Sequence, residues 1–251
     1  SFAGRKTRDV ALSPDGLRLI AEEIVDPRVL LTATRSSLTA AFGPVSTFDS
    51  LPPGSQDLIY WPFPGDPKVV VALAVGANTP RRVFRCPLPS PSVVNCTELE
   101  LLRRPGEPVK SDVDGVSILV TPQGPVMALN VAPGADLGDI YFAKPLDSSL
   151  LRWQVRYAEG FNSPGKEDDP VFHPDGRVLI FSINGKLHYA ARAASSLPFG
   201  APQVLAVVGS SGAWDAGPQV FVLPDGRFEL YFNSTRIADE MRLFRTICRY
   251  Q

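Results

Sequence analysis

The 251-residue sequence predicts an all-β fold: a five-bladed β-propeller of four-stranded antiparallel blades, with the N-terminal segment closing the last blade. Three observations carry this reading. A Pro-Asp-Gly turn between strand-length apolar runs occurs three times, as "SPDGLRLI" from Ser13, "HPDGRVLI" from His173 and "LPDGRFEL" from Leu223. Hairpin units recur every ~47 to 57 residues, the span of a propeller blade rather than of a helical solenoid. No segment sustains a 3.6-residue apolar period, and 25 prolines interrupt the chain too often for long helices.

Each Pro-Asp-Gly is a turn for a physical reason. Proline presets φ, aspartate bonds its own backbone, and glycine accepts positive φ. In the first unit "DVALS" and "LRLIAEE" flank the turn, and "RVLLTATR" supplies a third strand. The fourth unit repeats this with "KLHYAAR". In both units Phe-Gly follows an arginine by seven residues, Arg35 to Phe42 and Arg192 to Phe199, and leads into a fourth strand. The second unit turns at Pro64-Gly65-Asp66 and continues with "RRVFRCPL" and a fourth strand in "TELELL". The third turns at Pro122-Gln123-Gly124, followed by "GDIYFAKPL" and "RWQVRYAEG". The fifth has the hairpin "PQVFVLPDGRFELYFN" and the strand "MRLFRTIC" but no fourth strand. Since "SFAG" resembles the Phe-Gly corner, Ser1 to about Lys6 is the segment expected to complete that blade and hide its edge. The whole chain, 1–251, then reads as one domain with blades at about 6–52, 53–107, 108–164, 165–212 and 213–251 plus 1–5.

Composition narrows the function classes. A formal net charge of -1 gives no electrostatic footprint for nucleic acid, and no apolar run is long enough to span a bilayer. The amino end does not read as a signal peptide, though it could begin a trimmed chain or one piece of a larger protein. Of three cysteines, Cys86 and Cys96 flank a Pro/Ser turn that could bring them within bonding distance, and Cys248 reads as an apolar filler. The sequons at Asn95 and Asn233 read as coincidence in an arginine-rich, alanine-rich sequence of bacterial character.

The segments "SPDGLRLI", "VFHPDGRVLIFS", "GPQVFVLPDGRFELYFNSTR" and "DIYFAKPL" resemble the repeats of TolB-type (WD40-like) β-propellers. That resemblance implies a bacterial protein, secreted, periplasmic or attached to the envelope, acting through a small ligand or protein partner. It implies no residue-specific chemistry, because the shared residues are turns and core positions.

Function is expected where the innermost strands open, at one mouth of the central channel. Asp9, Asp57, Asp112 with Asp114, Glu167 to Asp169, and Asp215 all precede such strands. Three readings stand. These carboxylates could cap turns as Asx motifs. They could hold a cation such as Ca²⁺ or a polar ligand, with Asp9, Asp57, Asp114, Asp169 and Asp215 as ligands. Or they could cleave glycosides: "DDPVF" with Asp169 looks similar to a strand opening of the five-bladed arabinanases, whose three catalytic carboxylates occupy this mouth. Asp9, Asp169 and one of Asp57, Asp114 or Asp215, with Asp57 first, would then be the catalytic set, although no glutamate stands as general acid at a third strand opening. Trp61 and Trp214, each near an aspartate, suit either sugar stacking or packing between blades.

No nucleophile elbow, phosphate loop or zinc spacing occurs. His173, at a hairpin end, reads as a surface residue and His188 as half-buried. Arg35, Arg192 and Arg245 read as solvated or as bridges between blades. The sequence alone favours a monomeric, non-enzymatic binding propeller, with a glycoside hydrolase or carbohydrate-binding protein of arabinanase type as the alternative.

Overall fold

A computed structural model describes residues 2, 4–25, 29–60, 62, 68–73, 79–104, 106–132, 138–206, 212–237 and 240–249. Trp61 and the turn at Pro64-Gly65-Asp66 lie outside them. Five antiparallel blades surround one axis. Blade 1 is β1 (Thr7–Leu12), β2 (Arg18–Glu23), β3 (Val29–Thr34) and β4 (Ser46–Thr47); blade 2 is β5 (Gln56–Tyr60), β6 (Lys68–Leu73), β7 (Arg82–Pro87) and β8 (Thr97–Glu98). Blade 3 contains β9 (Glu100–Arg104), β10 (Glu107–Pro108), β11 (Asp112–Thr121), β12 (Gly124–Ala132), β13 (Asp139–Pro145) and β14 (Arg152–Tyr157). Blade 4 is β15 (Glu167–Phe172), β16 (Val178–Ile183), β17 (Lys186–Ala191) and β18 (Gln203–Val204). Blade 5 is β19 (Asp215–Val222), β20 (Phe228–Ile237) and β21 (Glu240–Cys248).

The ring closes through its innermost strands. β1 lies beside β5, β5 beside β11, β11 beside β15, β15 beside β19, and β19 beside β1. Each of five apolar clusters fills one seam. Val70 and Val83 meet Val116 and Leu129 between blades 2 and 3, while Val10 and Leu19 meet Tyr231 between blades 5 and 1. Burial is thus spread evenly around the axis, and that makes the circular stacking stable.

The three repeated turns are superimposable in their bonding. Gly16, Gly176 and Gly226 donate to the carbonyls of Ser13, His173 and Leu223 at 2.8, 2.8 and 3.0 Å. Asp15, Asp175 and Asp225 each accept from the backbone N–H two residues on, at 3.0, 2.8 and 3.1 Å.

Three details differ from the sequence reading. The segment "TELELL" splits, so that only Thr97–Glu98 completes blade 2, whereas Glu100–Arg104 pairs in parallel with β14 and widens blade 3. Leu101, whose partner in that parallel register is Trp153, and Leu102 are buried there, so the apolar run serves the neighbouring sheet. Among the described residues blade 5 has three strands. The amino-terminal segment instead leans on it through side chains, Lys6 Nζ pairing with Glu240 at 3.0 Å and Phe2 packing into the cluster that holds Tyr231 and Leu243. Finally, His173 is buried rather than superficial, bonded to the carboxylate of its own turn, Asp175, at 2.9 Å.

Cys86 and Cys96 form a disulfide across the blade 2 corner, and Cys248 is half-buried against the blade 4/5 seam. Among the described residues no helix is long and apolar enough to cross a membrane.

Candidate functional site

Every innermost strand carries a β-bulge at its channel opening. The ladder slips between Arg8 and Val10, Gln56 and Ile59, Asp114 and Val116, Asp168 and Val171, and Ala216 and Gln219. The first bulged residues are Asp9, Asp57, Gly115, Asp169 and Gly217, and all five are left-handed, with φ of 44°, 49°, 49°, 50° and 57°. Glycine accepts this conformation freely; aspartate tolerates it better than most residues but is still strained there. Strained bulges next to functional sites re-aim side chains. Here they aim three carboxylates at the axis.

The two glycines make room for those carboxylates. A Cβ at Gly115 would stand 2.7 Å from Asp169 Cα, and one at Gly217 would stand 3.3 Å from Asp9 Oδ1. The Gly217 N–H also donates to Asp169 Oδ2 at 2.9 Å. One oxygen from each of Asp9, Asp57 and Asp169 lies within 4.8 Å of the others. The space between them is a cavity of about 30 Å³ lined also by Gly115 and Gly217. That volume has room for one ion or water between the carboxylates.

Of the five aspartates singled out on the axis, the structure gathers Asp9, Asp57 and Asp169. Asp114 precedes the bulge by one residue and pairs bidentately with Arg81. Asp215 precedes its bulge by two, is buried, and pairs with Arg236 at 2.8 Å. Both therefore act beside the axis rather than on it, because the bulge position in blades 3 and 5 belongs to glycine. Asp112 accepts from the Arg81 backbone N–H at 2.7 Å, and Asp168 pairs with Lys166 at 2.5 Å. Glu167 is fully buried and turns to Ser163, which donates from its hydroxyl at 2.5 Å. Trp214 packs against Gly185 of blade 4 and does not line the axial cavity.

A basic collar surrounds the carboxylates, and sequence reasoning missed it. Arg8 contacts Asp9 at 3.1 Å and Glu22 at 3.0 Å, and donates to Gln56 Oε1 at 2.6 Å. Arg81 donates to the same Gln56 oxygen at 3.0 Å. Among the described residues, Arg8, Arg81 and Lys166 lie against Asp9, Glu22, Asp57, Asp112, Asp114 and Asp168. Burial pushes the Asp9 carboxyl up to about 7, with Glu22, Asp114 and Asp168 adding to the push and Arg8 opposing it. Burial, and then neighbouring carboxylates, raise Asp57 and Asp169 well above the ordinary range. Burial also acts on Asp114, but its bonds to Asp57 and Arg81 hold it below that range. Among the described residues Asp57 Oδ2 is buried without a hydrogen-bond donor, and Arg81 stands 3.8 Å from it. Such a group calls for a proton or a cation.

No family model and no curated protein matches this chain. Solved structures do. The endo-arabinase of Bacteroides thetaiotaomicron VPI-5482 is similar at 14% identity and a TM-score of 0.65, over 99% of this chain and 96% of that one. A thermostable family-43 glycoside hydrolase gives 11% identity and 0.70, over 99% and 91%. A putative TolB from Agrobacterium tumefaciens gives 16% identity and 0.51, over 92% and 70%. At such identities the likeness is one of fold, the five-bladed propeller.

Proposed function

We propose that this chain is a ligand-binding propeller whose axial carboxylates, Asp9, Asp57 and Asp169, hold one oxygen-seeking divalent cation of the Ca²⁺ class. The span of their oxygens carries the reading. Ligands bound to one Ca²⁺ at about 2.3–2.6 Å cannot stand more than about 5 Å apart, and these oxygens lie within 4.8 Å of one another. The cavity between them has room for one ion. The cation would leave open positions toward the channel mouth, where a hydroxyl-rich or anionic ligand could complete its shell. The Cys86–Cys96 disulfide supports an oxidising setting, secreted or in the bacterial envelope.

The likeness to family-43 hydrolases favours a second reading, glycoside cleavage by the same three residues. Asp9, holding its proton up to about 7, would be a competent acid. In that reading the carboxyls would flank a sugar at separations of roughly 5 Å or more, whereas the facing oxygens of the three aspartates lie within 4.8 Å of one another.

Thermal melting of chelator-stripped protein tests the first reading. Ca²⁺ at about a hundred times its Kd should add about 2.7 kcal/mol, hence raise Tm by about 5–10 °C. No shift at millimolar Ca²⁺ would refute it. Hydrolysis of arabinan or of a 4-nitrophenyl arabinofuranoside, lost in Asp169→Asn, would establish the second.

A further inference from the structure

The seam between blades 5 and 1 and the seam between blades 3 and 4 are assembled from the same parts. Arg35 and Arg192 each follow a third strand. Their Nε atoms donate to the carbonyls of the turn glycines, Gly16 at 2.7 Å and Gly176 at 2.6 Å. One Nη of each donates to the next corner, to Leu38 O at 3.1 Å and Leu197 O at 3.2 Å. Each guanidinium lies over the corner phenylalanine, 4.8 Å from the Phe42 ring and 4.1 Å from the Phe199 ring. A Cβ on Gly16 would strike Phe221 at 2.3 Å, and one on Gly176 would strike Leu119 at 2.7 Å. Leu119 on β11 is therefore the counterpart of Phe221 on β19.

The seams differ in what faces the remaining edge of the guanidinium. Phe221 pairs across its hairpin with Glu229, and Leu119 pairs with Val126. Glu229 is fully buried, accepting from both Nη atoms of Arg35 at 3.1 and 2.9 Å and from the Tyr231 hydroxyl at 2.9 Å, and it also pairs with Arg245. In the blade 3/4 seam Val126 stands where Glu229 would, Ala128 where Tyr231 would, and Phe142 where Arg245 would.

With that carboxylate missing, a cavity of about 410 Å³ opens, walled by Phe142, Phe161, Phe172 and Phe199 and bordered by Arg192. The exposed Glu159 and Lys144 also reach its lining. Among the described residues no carboxylate, Glu159 included, comes within the 4.0 Å salt-bridge distance of Arg192. Burial holds the Arg192 guanidinium below its usual range, with Asp175 opposing at longer distance. A half-buried cation beside an aromatic cavity is thus without the anion that its twin possesses.

We propose that this cavity binds a small aryl-alkanoic acid. Its carboxylate sits on Arg192 as Glu229 sits on Arg35, and its ring packs among the four phenylalanines. Arginine recognises carboxylates through paired hydrogen bonds, rings favour edge-to-face or offset contacts, and the volume falls in the range of small-molecule sites. The site lies on the blade seam, independent of the axial carboxylates.

Calorimetric titration of the full chain with 3-phenylpropionate tests this, with 3-phenylpropanamide and acetate as comparators. The expected result is saturable one-to-one binding of 3-phenylpropionate, at least tenfold weaker for either comparator and at least tenfold weaker in Arg192→Gln. A second variant, Val126→Glu, restores the internal carboxylate; it should abolish binding and raise Tm. Absence of binding at millimolar ligand, equal affinity for the amide, or undiminished affinity in folded Arg192→Gln would each overturn the proposal. So would a folded Val126→Glu protein that still binds. Should that variant fail to fold, the arginine variant and the amide decide.

Discussion

Replacing Asp9 by Asn should stabilise the cation-free protein above neutral pH, although it removes an ion pair. Asp9 contacts Arg8 at 3.1 Å, so a simple accounting by contacts would forecast a loss. Its proton affinity says otherwise. Burial lifts the carboxyl from an ordinary value of 3.8 to about 7 in the folded chain. A group raised in this direction contributes its full stability below the unfolded value, and that contribution is lost as pH rises through the folded value. At 1.36 kcal/mol per pH unit, the folded wild type loses up to about 4 kcal/mol between pH 4 and pH 8. Asp57 and Asp169 titrate with Asp9, so that figure is an upper value for the single residue. Asparagine preserves the shape without the charge and removes that part of the slope. Urea denaturation in chelator at pH 4, 6 and 8 is the assay. The two proteins should match at pH 4, with Asp9→Asn ahead by about 2–4 kcal/mol at pH 8. An Asp9→Asn protein less stable than wild type at pH 8, or a difference independent of pH, would refute the electrostatic account. A stabilising change at a strained, charged position is the mark of a residue kept for function.

At the proposed axial site protons and Ca²⁺ would compete for the same oxygens, so the Ca²⁺-induced rise in Tm should be larger at pH 8 than at pH 5.5; equal shifts would place the ion elsewhere. Gly115→Ala should cost about 2 kcal/mol or more and exceed Gly217→Ala, since its Cβ meets the Asp169 backbone at 2.7 Å whereas that of Gly217 meets a side-chain oxygen at 3.3 Å. Equal losses in denaturation would contradict the packing described. Glu229→Gln leaves Arg35 buried without its counter-charge and should cost about 3–5 kcal/mol; a loss below about 1 kcal/mol would show that the seam does not depend on the pair.

The sequence made the architecture readable where local chemistry and tertiary packing agree. "SPDG", "HPDG" and "LPDG" form the same turn because every bond in it is local. The strands after Phe-Gly were found, yet only Ser46–Thr47 and Gln203–Val204 pair, since those outer edges bury little. "TELELL" was misassigned because an apolar run does not reveal which sheet will bury it. At the site, position before the strand singles out Asp9, Asp57 and Asp169, which the structure brings together, and equally Asp114 and Asp215, which it does not, because a bulge is invisible to simple counting. Aligning "RDV", "QDL", "DGV", "DDP" and "AGP" would have shown that glycine occupies the same place in two blades. Arg81 and Glu22 had no such signal. They reach the axis from the loop before a third strand and from a second strand, a placement that only the folded ring determines.

The most direct test is calorimetric titration of chelator-stripped protein with CaCl₂ at pH 8, beside Asp57→Asn and Asp169→Asn. One Ca²⁺ per chain in the wild type, with binding lost in both variants, is the result the proposed axial site predicts. Wild-type protein that takes up no Ca²⁺, or variants that bind it undiminished, would contradict the assignment.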